Sequence, residues 1–169
     1  DETSIELGYK IHLQTIEDMG DAYKPASGWK VAEKLVEQDR LGKKYGKGFY
    51  DYPEGAKKRL WSGLAEMFPV SDEQPDVEEV KSRLMTIQAL DAYRCLEENV
   101  LMSPDDGDIG SILGWGFPPW AGGVFSYIDT VGVPEFVVTC DDYRDRFGER
   151  FTVPDSLREK AEKGAKFYP

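Results

Sequence analysis

The chain has 169 residues, a formal net charge of −11 and 40% hydrophobic residues. That length suits one domain or two small repeated units, and the hydrophobic content excludes a disordered chain. The acidic balance argues against nucleic acid and against an anionic membrane surface as partners, and no apolar run approaches the length of a membrane span. The two cysteines, Cys95 and Cys140, are interpreted as reduced, buried and structural, which favours a cytoplasmic protein.

The first 68 residues predict three helices separated by glycine and proline. We expect a helix over residues 4–19, which ends before Gly20, and a second one that is N-capped by Ser27 and ends by Gly42. Residues 49–52 alternate like a short extended segment. Residues 56–68 carry apolar positions at helical spacing and predict the third helix.

The remaining residues predict one long helix, an ordered loop and two shorter helices. Residues 69–76 read as a linker, residues 77–102 as the longest helix, and residues 105–123 as a loop whose large rings pack on the core. Pro134 suits the first turn of a further helix. A last helix follows Pro154, with capping-box spacing from Ser156 and an end at Gly164. The expected apolar stripe of the longest helix consists of Val80, Leu84, Ile87, Tyr93, Leu96 and Val100.

An internal repeat is the most informative feature of the chain. Residues 20–25 resemble residues 148–154, since each segment runs from glycine and an acid through an aromatic residue to proline. The shared flanks are an Asp 19 residues upstream (Asp1 and Asp129), Glu-Lys in the next helix (Glu33-Lys34 and Glu159-Lys160) and a closing Phe-Tyr (Phe49-Tyr50 and Phe167-Tyr168). The repeat predicts two copies of one helical unit, packed with pseudo-two-fold symmetry.

We therefore predict an all-α fold with three segments. Residues 1–68 form a truncated first unit, residues 69–76 a linker, and residues 77–169 a complete second unit.

Two glycine-rich segments invite nucleotide-binding interpretations that their spacing does not support. Residues 42–48 have three residues between the first two glycines instead of the four of a phosphate loop, and Gly48 stands where Ser or Thr is needed. This basic loop either touches an anionic ligand or, as we favour, closes a helix C-terminus. Residues 110–116 depart from the dinucleotide fingerprint, because Pro119 replaces its third glycine and no strand precedes it.

The remaining polar clusters indicate no catalytic centre. Residues 105–108 lack calcium-loop spacing and are interpreted as a solvated turn. His12, the single histidine, lies in a predicted helix without a nucleophile motif, so we expect a helix-face residue, and zinc is disfavoured. The acids at Asp141-Asp142, Asp145 and Glu97-Glu98 are expected on solvated helix faces. We assign no catalytic, cofactor-binding or metal-ligating residue.

Two signatures carry a resemblance to a known family. Residues 40–52 resemble the segment that closes the C-terminal domain of 3-hydroxyacyl-CoA dehydrogenases, and residues 108–129 resemble the second such domain of the multifunctional fatty-acid β-oxidation enzymes. The first signature loop contains Gly42, Lys43, Lys44, Gly46, Lys47, Gly48, Phe49 and Tyr50. The second contains Gly114, Trp115, Gly116, Phe117, Pro118, Pro119 and Trp120. We expect structural or interface roles for both loops.

The resemblance implies a fold, a reaction and a set of missing parts. It implies two tandem units like the C-terminal domain of 6-phosphogluconate dehydrogenase. It also implies the NAD-dependent oxidation of (S)-3-hydroxyacyl-CoA to 3-ketoacyl-CoA. In the family, NAD and the catalytic His–Glu pair belong to a Rossmann domain that would precede Asp1, as would a hydratase domain. This chain would supply a wall of the acyl-CoA cleft and an assembly surface, and would be inactive and NAD-free alone. The alternative is a stand-alone acidic interaction module.

Overall fold

The computed structural model describes residues 1–168, and these residues are mostly helical, as predicted. The helices are α1 (Ile5–Met19), α2 (Trp29–Glu37), α3 (Gly63–Met67), α4 (Val77–Glu97), α5 (Pro104–Trp115), α6 (Val124–Val131), α7 (Val133–Phe147) and α8 (Asp155–Glu162). The strands β1 (Tyr50–Asp51) and β2 (Arg59–Leu60) form an antiparallel pair with Tyr50 opposite Leu60. No helix among residues 1–168 is long and apolar enough to cross a membrane.

The chain divides into two compact units. Unit 1 is Asp1–Asp72 and unit 2 begins at Glu73, so the division falls within residues 69–76. The pseudo-two-fold arrangement and the tandem-domain likeness stay predictions.

The repeated segments have the same local structure in both units. Helices α1 and α7 each have 15 residues and end at a glycine with positive φ, Gly20 (+51°) and Gly148 (+99°). A 3₁₀ turn of three residues comes next, Gly20–Ala22 in unit 1 and Glu149–Phe151 in unit 2, and α2 or α8 follows it. The glycines are suited to these positions because residues with a Cβ rarely adopt such φ values.

Unit 1 is built on the pairing of α1 with α2. The Ser4 side chain caps α1, accepting the Leu7 N–H and donating to the Leu41 carbonyl. The N-cap predicted at Ser27 is wrong, since α2 begins after Gly28 without a side-chain cap.

The helix predicted over residues 56–68 is wrong for most of its length. Residues 59–60 form β2, and only Gly63–Met67 is helical. The indole of Trp61 lies over the guanidinium of Arg40, with 4.1 Å from Cζ to the ring centroid. Pairing with β1 and this contact override the local helical pattern.

The loop predicted over residues 105–123 is also wrong in its first part, where α5 forms. The Ser103 hydroxyl accepts the Asp106 N–H and Pro104 occupies the first turn, both of which start helices. Of the large rings, only Phe117 is buried, whereas Trp115 and Trp120 are exposed. Helix α6 was not predicted.

Helix α4 is shorter than expected, and its buried face shares only Tyr93 with the predicted apolar stripe. It ends at Glu97 instead of residue 102. Asn99, two residues after that end, adopts a left-handed φ of +59°. Its buried face is Thr86, Ala89, Leu90, Ala92 and Tyr93. Leu84, predicted to be in the core, is 57% exposed.

The core of unit 2 forms where α4, α6, α7 and α8 meet, and α5 packs on α6. Its buried members are Ala89, Leu90, Ala92, Tyr93, Phe117, Val124, Phe125, Ile128, Val133, Phe136, Val137, Cys140, Val153 and Leu157. Helix α8 begins after Pro154, and the capping box predicted at Ser156 does not form, since its hydroxyl contacts Tyr93 and Glu97. Gly164 follows the last turn with φ +59°, as predicted.

Candidate functional site

The first signature loop folds back onto Asp1. The Lys43 N–H donates to the Asp1 carbonyl (3.0 Å), and the Gly42 N–H donates to the Lys47 carbonyl (2.8 Å). A Cβ at Gly42 would lie 2.9 Å from the Asp1 carbonyl oxygen, and one at Gly48 would lie 2.3 Å from Asp1 Oδ1. Both positions therefore require glycine because the backbone of the loop passes so close to Asp1.

The Asp1 carboxylate holds the end of this loop. It accepts hydrogen bonds from the N–H groups of Phe49 (2.8 Å) and Tyr50 (3.0 Å) and from the Tyr52 hydroxyl (2.8 Å). We call this arrangement the Asp1 clasp. Such charge-assisted bonds are among the stronger ones in proteins, so the loop is fixed in place.

Unit 2 contains the corresponding arrangement, the Asp129 clasp. The Asp129 carboxylate accepts the N–H groups of Phe167 (3.0 Å) and Tyr168 (2.9 Å). The hydroxyl of Tyr168 instead donates to Asp108, at 2.9 Å. The Asp and Phe-Tyr positions of the sequence repeat thus meet in each unit.

Arg40 organises the other side of the first loop. Its buried guanidinium donates to the Gly48 carbonyl (2.7 Å), the Tyr50 carbonyl (3.3 Å) and Asp51 Oδ1 (2.6 Å). Hydrogen bonding from Arg40 lowers the pKa of Asp51. Arg40 belongs to the quoted signature, but its buried role was not recognised from the sequence.

The lysines of the loop do not close a helix C-terminus, so that expectation is wrong. The last carbonyls of α2 are bound by backbone N–H groups, for example Arg40 N–H to Leu35 O (2.8 Å). Lys43 pairs with Glu2 and Lys47 with Asp39, both at 2.9 Å. Two of the loop's three lysines are therefore already neutralised on the surface.

The second signature divides between a buried and an exposed part. Gly114 and Trp115 end α5, Gly116 caps it in a left-handed conformation, and the Trp115 indole donates to Gln88 Oε1 (3.0 Å). Phe117 enters the core, and Pro118 leads into the 3₁₀ turn Pro119–Ala121. Trp120, 81% exposed, lines an apolar groove of about 700 Å³ on α4. Of this signature, Phe117 is therefore a core residue, whereas Trp115 and Trp120 lie on the surface of unit 2.

Asp108 is a buried polar centre that the sequence did not reveal. The expected solvated turn is wrong, because Asp108 lies inside α5 and caps the start of α6. It accepts the Phe125 N–H (2.6 Å) and the Ser126 hydroxyl (2.6 Å). A Cβ at Gly123 would lie 2.4 Å from Asp108 Cα, which explains the glycine. The signal available in the sequence was the N-cap pair Ser103-Pro104 before this acid.

Neither His12 nor the cysteines form a nucleophilic centre in residues 1–168. His12 is buried in α1, stacks on Trp29 with ring centroids 4.3 Å apart, and lies 3.1 Å from the Tyr23 hydroxyl through Nδ1. Both cysteines are free; burial raises the pKa of Cys140 to about 12, so its thiol stays protonated. The described residues contain no group of three or more His, Cys, Asp or Glu side chains placed to hold a metal ion.

The acids expected on solvated faces are partly structural. Asp141 accepts both Nη groups of Arg158 (2.8 and 2.6 Å) and so links α7 to α8, and this bonding lowers its pKa. Asp142 and Asp145 are exposed and pair with arginines of α7.

The fold and these sites define a class: an all-α protein of two helical units, each with its closing Phe-Tyr held by a carboxylate. No protein-family model matches the chain. Curated proteins, in contrast, do match this chain. It is 41% identical over 172 residues to a fatty acid oxidation complex subunit alpha of Shewanella loihica, 40% identical over 175 residues to that of Shewanella frigidimarina and 35% identical over 170 residues to that of Vibrio cholerae.

These matches cover 99–100% of the chain and 24% of each relative. The chain therefore spans about a quarter of the length of these subunits. The resemblance to part of the multifunctional fatty-acid β-oxidation enzyme is confirmed, and the chain is a homologue of that part along its whole length.

Proposed function

We propose that the chain is part of a fatty-acid β-oxidation enzyme, and within it the C-terminal helical part of a 3-hydroxyacyl-CoA dehydrogenase. The observation that carries the proposal is the identity of 35–41%, over essentially every residue, to relatives named as fatty acid oxidation complex alpha subunits. The dehydrogenase assignment within that enzyme rests on the two signature loops.

The proposed role is structural support of an acyl-CoA cleft and of the neighbouring domains. The first signature loop suits a wall of a cleft because the Asp1 clasp and Arg40 fix its backbone from two sides. Loops held in this way can position a substrate without their own rearrangement.

No chemical step is assigned to residues of this chain. Gly110 and Gly114 lie within α5, which directly follows helix α4, so they lack the strand–turn–helix setting of a dinucleotide-binding loop. NAD and the base that removes the hydroxyl proton would come from a Rossmann domain of the parent polypeptide, alongside a hydratase domain.

The test is reconstitution of dehydrogenase activity. We would measure NADH formation from (S)-3-hydroxybutyryl-CoA with the chain, with a separately expressed NAD-binding segment of a relative, and with both together. We expect activity only in the mixture, and no heat of NAD binding to the chain alone. A mixture no more active than the NAD-binding segment, or saturable NAD uptake by the chain, would contradict the proposal.

A matched pair of variants sharpens this test. Gly48→Ala places a Cβ against the Asp1 carboxylate and should reduce the activity of the mixture, whereas Gly110→Ala meets no atom within 4 Å and should not. Equal activities of the two variants would show that the first signature loop has no role in the cleft.

A stand-alone interaction module remains the second candidate, and one observation favours it. Exposed apolar side chains cluster in and after α5, where Ile109, Leu113 and Trp120 lie on the surface. Exposed apolar patches mark interaction surfaces. An immunoblot of source cells decides between the two candidates: a band near 19.1 kDa supports the module, and a much heavier band supports the enzyme.

A further inference from the structure

A second groove on unit 2 combines an apolar floor with two arginines. It has a volume of about 200 Å³ and is lined by Val80, Arg83, Leu84, Ile87, Arg150 and Phe151. Three of these residues belong to the α4 stripe that was predicted to be in the core. These three residues face the groove instead, which explains why Leu84 is more than half exposed, whereas Tyr93 of the stripe is in the core. No carboxylate lines the groove.

The two arginines differ from every other arginine of the chain. The remaining six each form an ion pair with an Asp or Glu, whereas Arg83 and Arg150 form none among residues 1–168. Unpaired guanidinium groups are unexpected in a chain with an excess of 11 acidic residues. Neither guanidinium group is therefore neutralised by a carboxylate of residues 1–168.

Phe147 holds both guanidinium groups in place. Arg83 Cζ lies 3.6 Å from the centroid of the Phe147 ring, and Arg150 Nη2 donates to the Phe147 carbonyl at 3.2 Å. Both arginines therefore contact Phe147 and line the same groove. A guanidinium that stacks on a ring keeps most of its N–H donors free.

Two acids neighbour the groove-lining residues in sequence, and both bond to other side chains. Glu79, next to Val80 on α4, pairs with Arg146, and Glu149, next to Arg150, accepts the Thr152 hydroxyl. Among residues 1–168, neither carboxylate forms an ion pair with Arg83 or Arg150.

The wall opposite α4 is rigid. Arg94 of α4 donates to the carbonyls of Arg150 and Thr152, both at 2.8 Å. Phe151 is buried and contacts Tyr143, with ring centroids 5.4 Å apart. The groove is therefore formed before any ligand binds, which lowers the entropic cost of binding.

We propose that this groove binds a carboxylate with an aliphatic chain, the chemical class of a free fatty acid. The carboxylate would accept hydrogen bonds from Arg83 and Arg150, and the chain would lie on Val80, Leu84 and Ile87. Guanidinium groups match carboxylates in geometry and charge, and the aliphatic floor excludes water from the chain. The proposal does not depend on the dehydrogenase assignment, since binding is measured on this chain alone.

The experiment is a titration of the 169-residue chain with octanoate, followed by calorimetry and by the methyl NMR signals of Val80, Leu84 and Ile87. Octan-1-ol, which has the same chain without the carboxylate, and acetate, which has the carboxylate without the chain, are the comparison ligands. We expect saturable octanoate binding with shifts at these three methyl-bearing residues, and binding at least about tenfold weaker for either comparison ligand.

Two double variants with the same net charge test the arginines. Arg83→Gln/Arg150→Gln should weaken octanoate binding about tenfold or more, whereas Lys81→Gln/Lys163→Gln should leave it within about twofold. Leu84→Gln, at an exposed position, tests the floor without disturbing the core and should also weaken binding.

Four outcomes would overturn the proposal. They are the absence of saturable octanoate binding, equal affinity for octan-1-ol, arginine variants that bind like the wild type, and shifts confined to residues around Trp120. Preferential binding of an acidic peptide over octanoate would equally reject it and assign the groove to a protein partner.

Discussion

The two units hold the same local structure together in different ways. Unit 2 has a continuous buried apolar cluster, all of it contributed by residues from Ala89 to Leu157. Unit 1 buries only two apolar side chains, Ile5 and Leu35, together with the polar side chains of His12 and Arg40. One unit is therefore stabilised mainly by apolar burial, and the other depends more on hydrogen bonds to charged groups.

This difference extends to the clasps. The Asp1 carboxylate accepts two backbone N–H groups and the Tyr52 hydroxyl, whereas the Asp129 carboxylate accepts two backbone N–H groups among the described residues. Among the described residues, the unit with the smaller apolar core has the clasp with more donors. The two units thus share local structure in the repeated segments but differ in how far they depend on apolar burial and on polar contacts.

The largest expected effect compares the two cores by equal truncations. Leu90→Ala should destabilise unit 2 by about 3–5 kcal/mol, because a cavity opens inside a close-packed cluster. Leu35→Ala should cost unit 1 about 2–3 kcal/mol, because fewer buried apolar groups surround it. Hydrogen exchange in urea, read by mass spectrometry, measures each unit separately. A larger cost at Leu35 would refute the comparison.

The next effect tests the polar stabilisation of unit 1. Arg40→Lys should cost about 2 kcal/mol, since an ammonium group cannot reproduce the guanidinium bonds to two carbonyls and Asp51. Arg59→Lys is the control, because Arg59 faces the same Asp51 at 3.5 Å but is 77% exposed, and it should change stability by less than about 0.5 kcal/mol. Urea unfolding of unit 1 gives both values; similar costs would mean that burial of Arg40 contributes nothing.

The clasps can be compared directly by removing one charge from each. Asp129→Asn should cost about 1 kcal/mol of stability and Asp1→Asn about 2 kcal/mol. The cost at Asp1 is larger because its carboxylate also accepts a hydrogen bond from the Tyr52 hydroxyl. The exposed Asp21→Asn serves as the reference for a change of net charge. Thermal unfolding ranks the three variants, and a larger loss at Asp129 than at Asp1 would reverse the proposed division between the units.

The smallest effect depends on pH. Arg158 lowers the pKa of Asp141 in the folded chain, so this pair stabilises unit 2 above the ordinary Asp pKa of about 3.9 and loses that contribution as the pH falls through the lowered value. Asp141→Asn should therefore cost up to about 1 kcal/mol at pH 6 and less at pH 3. Urea midpoints at both pH values test this, with Asp145→Asn as the control. If the stability difference between Asp141→Asn and the wild type does not shrink on acidification, the ion pair is excluded as its cause.

The sequence predicted local features well where the signal lay within a few residues. The repeat, the helices α1 and α7, and the short extended segment at Tyr50 all follow from spacing, glycine positions and alternation. Helix α5 was missed because its three glycines outweighed the start signal at Ser103, although caps are the stronger evidence.

The remaining misses involve partners far apart in the chain. Asp108 is a structural centre only because Phe125, 17 positions away, and Tyr168, 60 positions away, donate to it. The periodicity of α4 reveals its apolar residues but does not show that Leu84 and Ile87 lie outside the core. The arginine groove likewise depends on α4 and the turn at Arg150 meeting in space.

The bond between Asp108 and Tyr168 also sets an order of events during synthesis. The carboxylate is made first, and its hydroxyl donor follows 60 residues later, a delay of roughly 3 to 12 seconds at ordinary rates of translation. Until then the start of α6 has its cap, but the closing segment cannot dock. Unit 2 therefore completes its fold only after Tyr168 has been made, whereas the clasp of unit 1 has all its partners once Tyr52 has appeared.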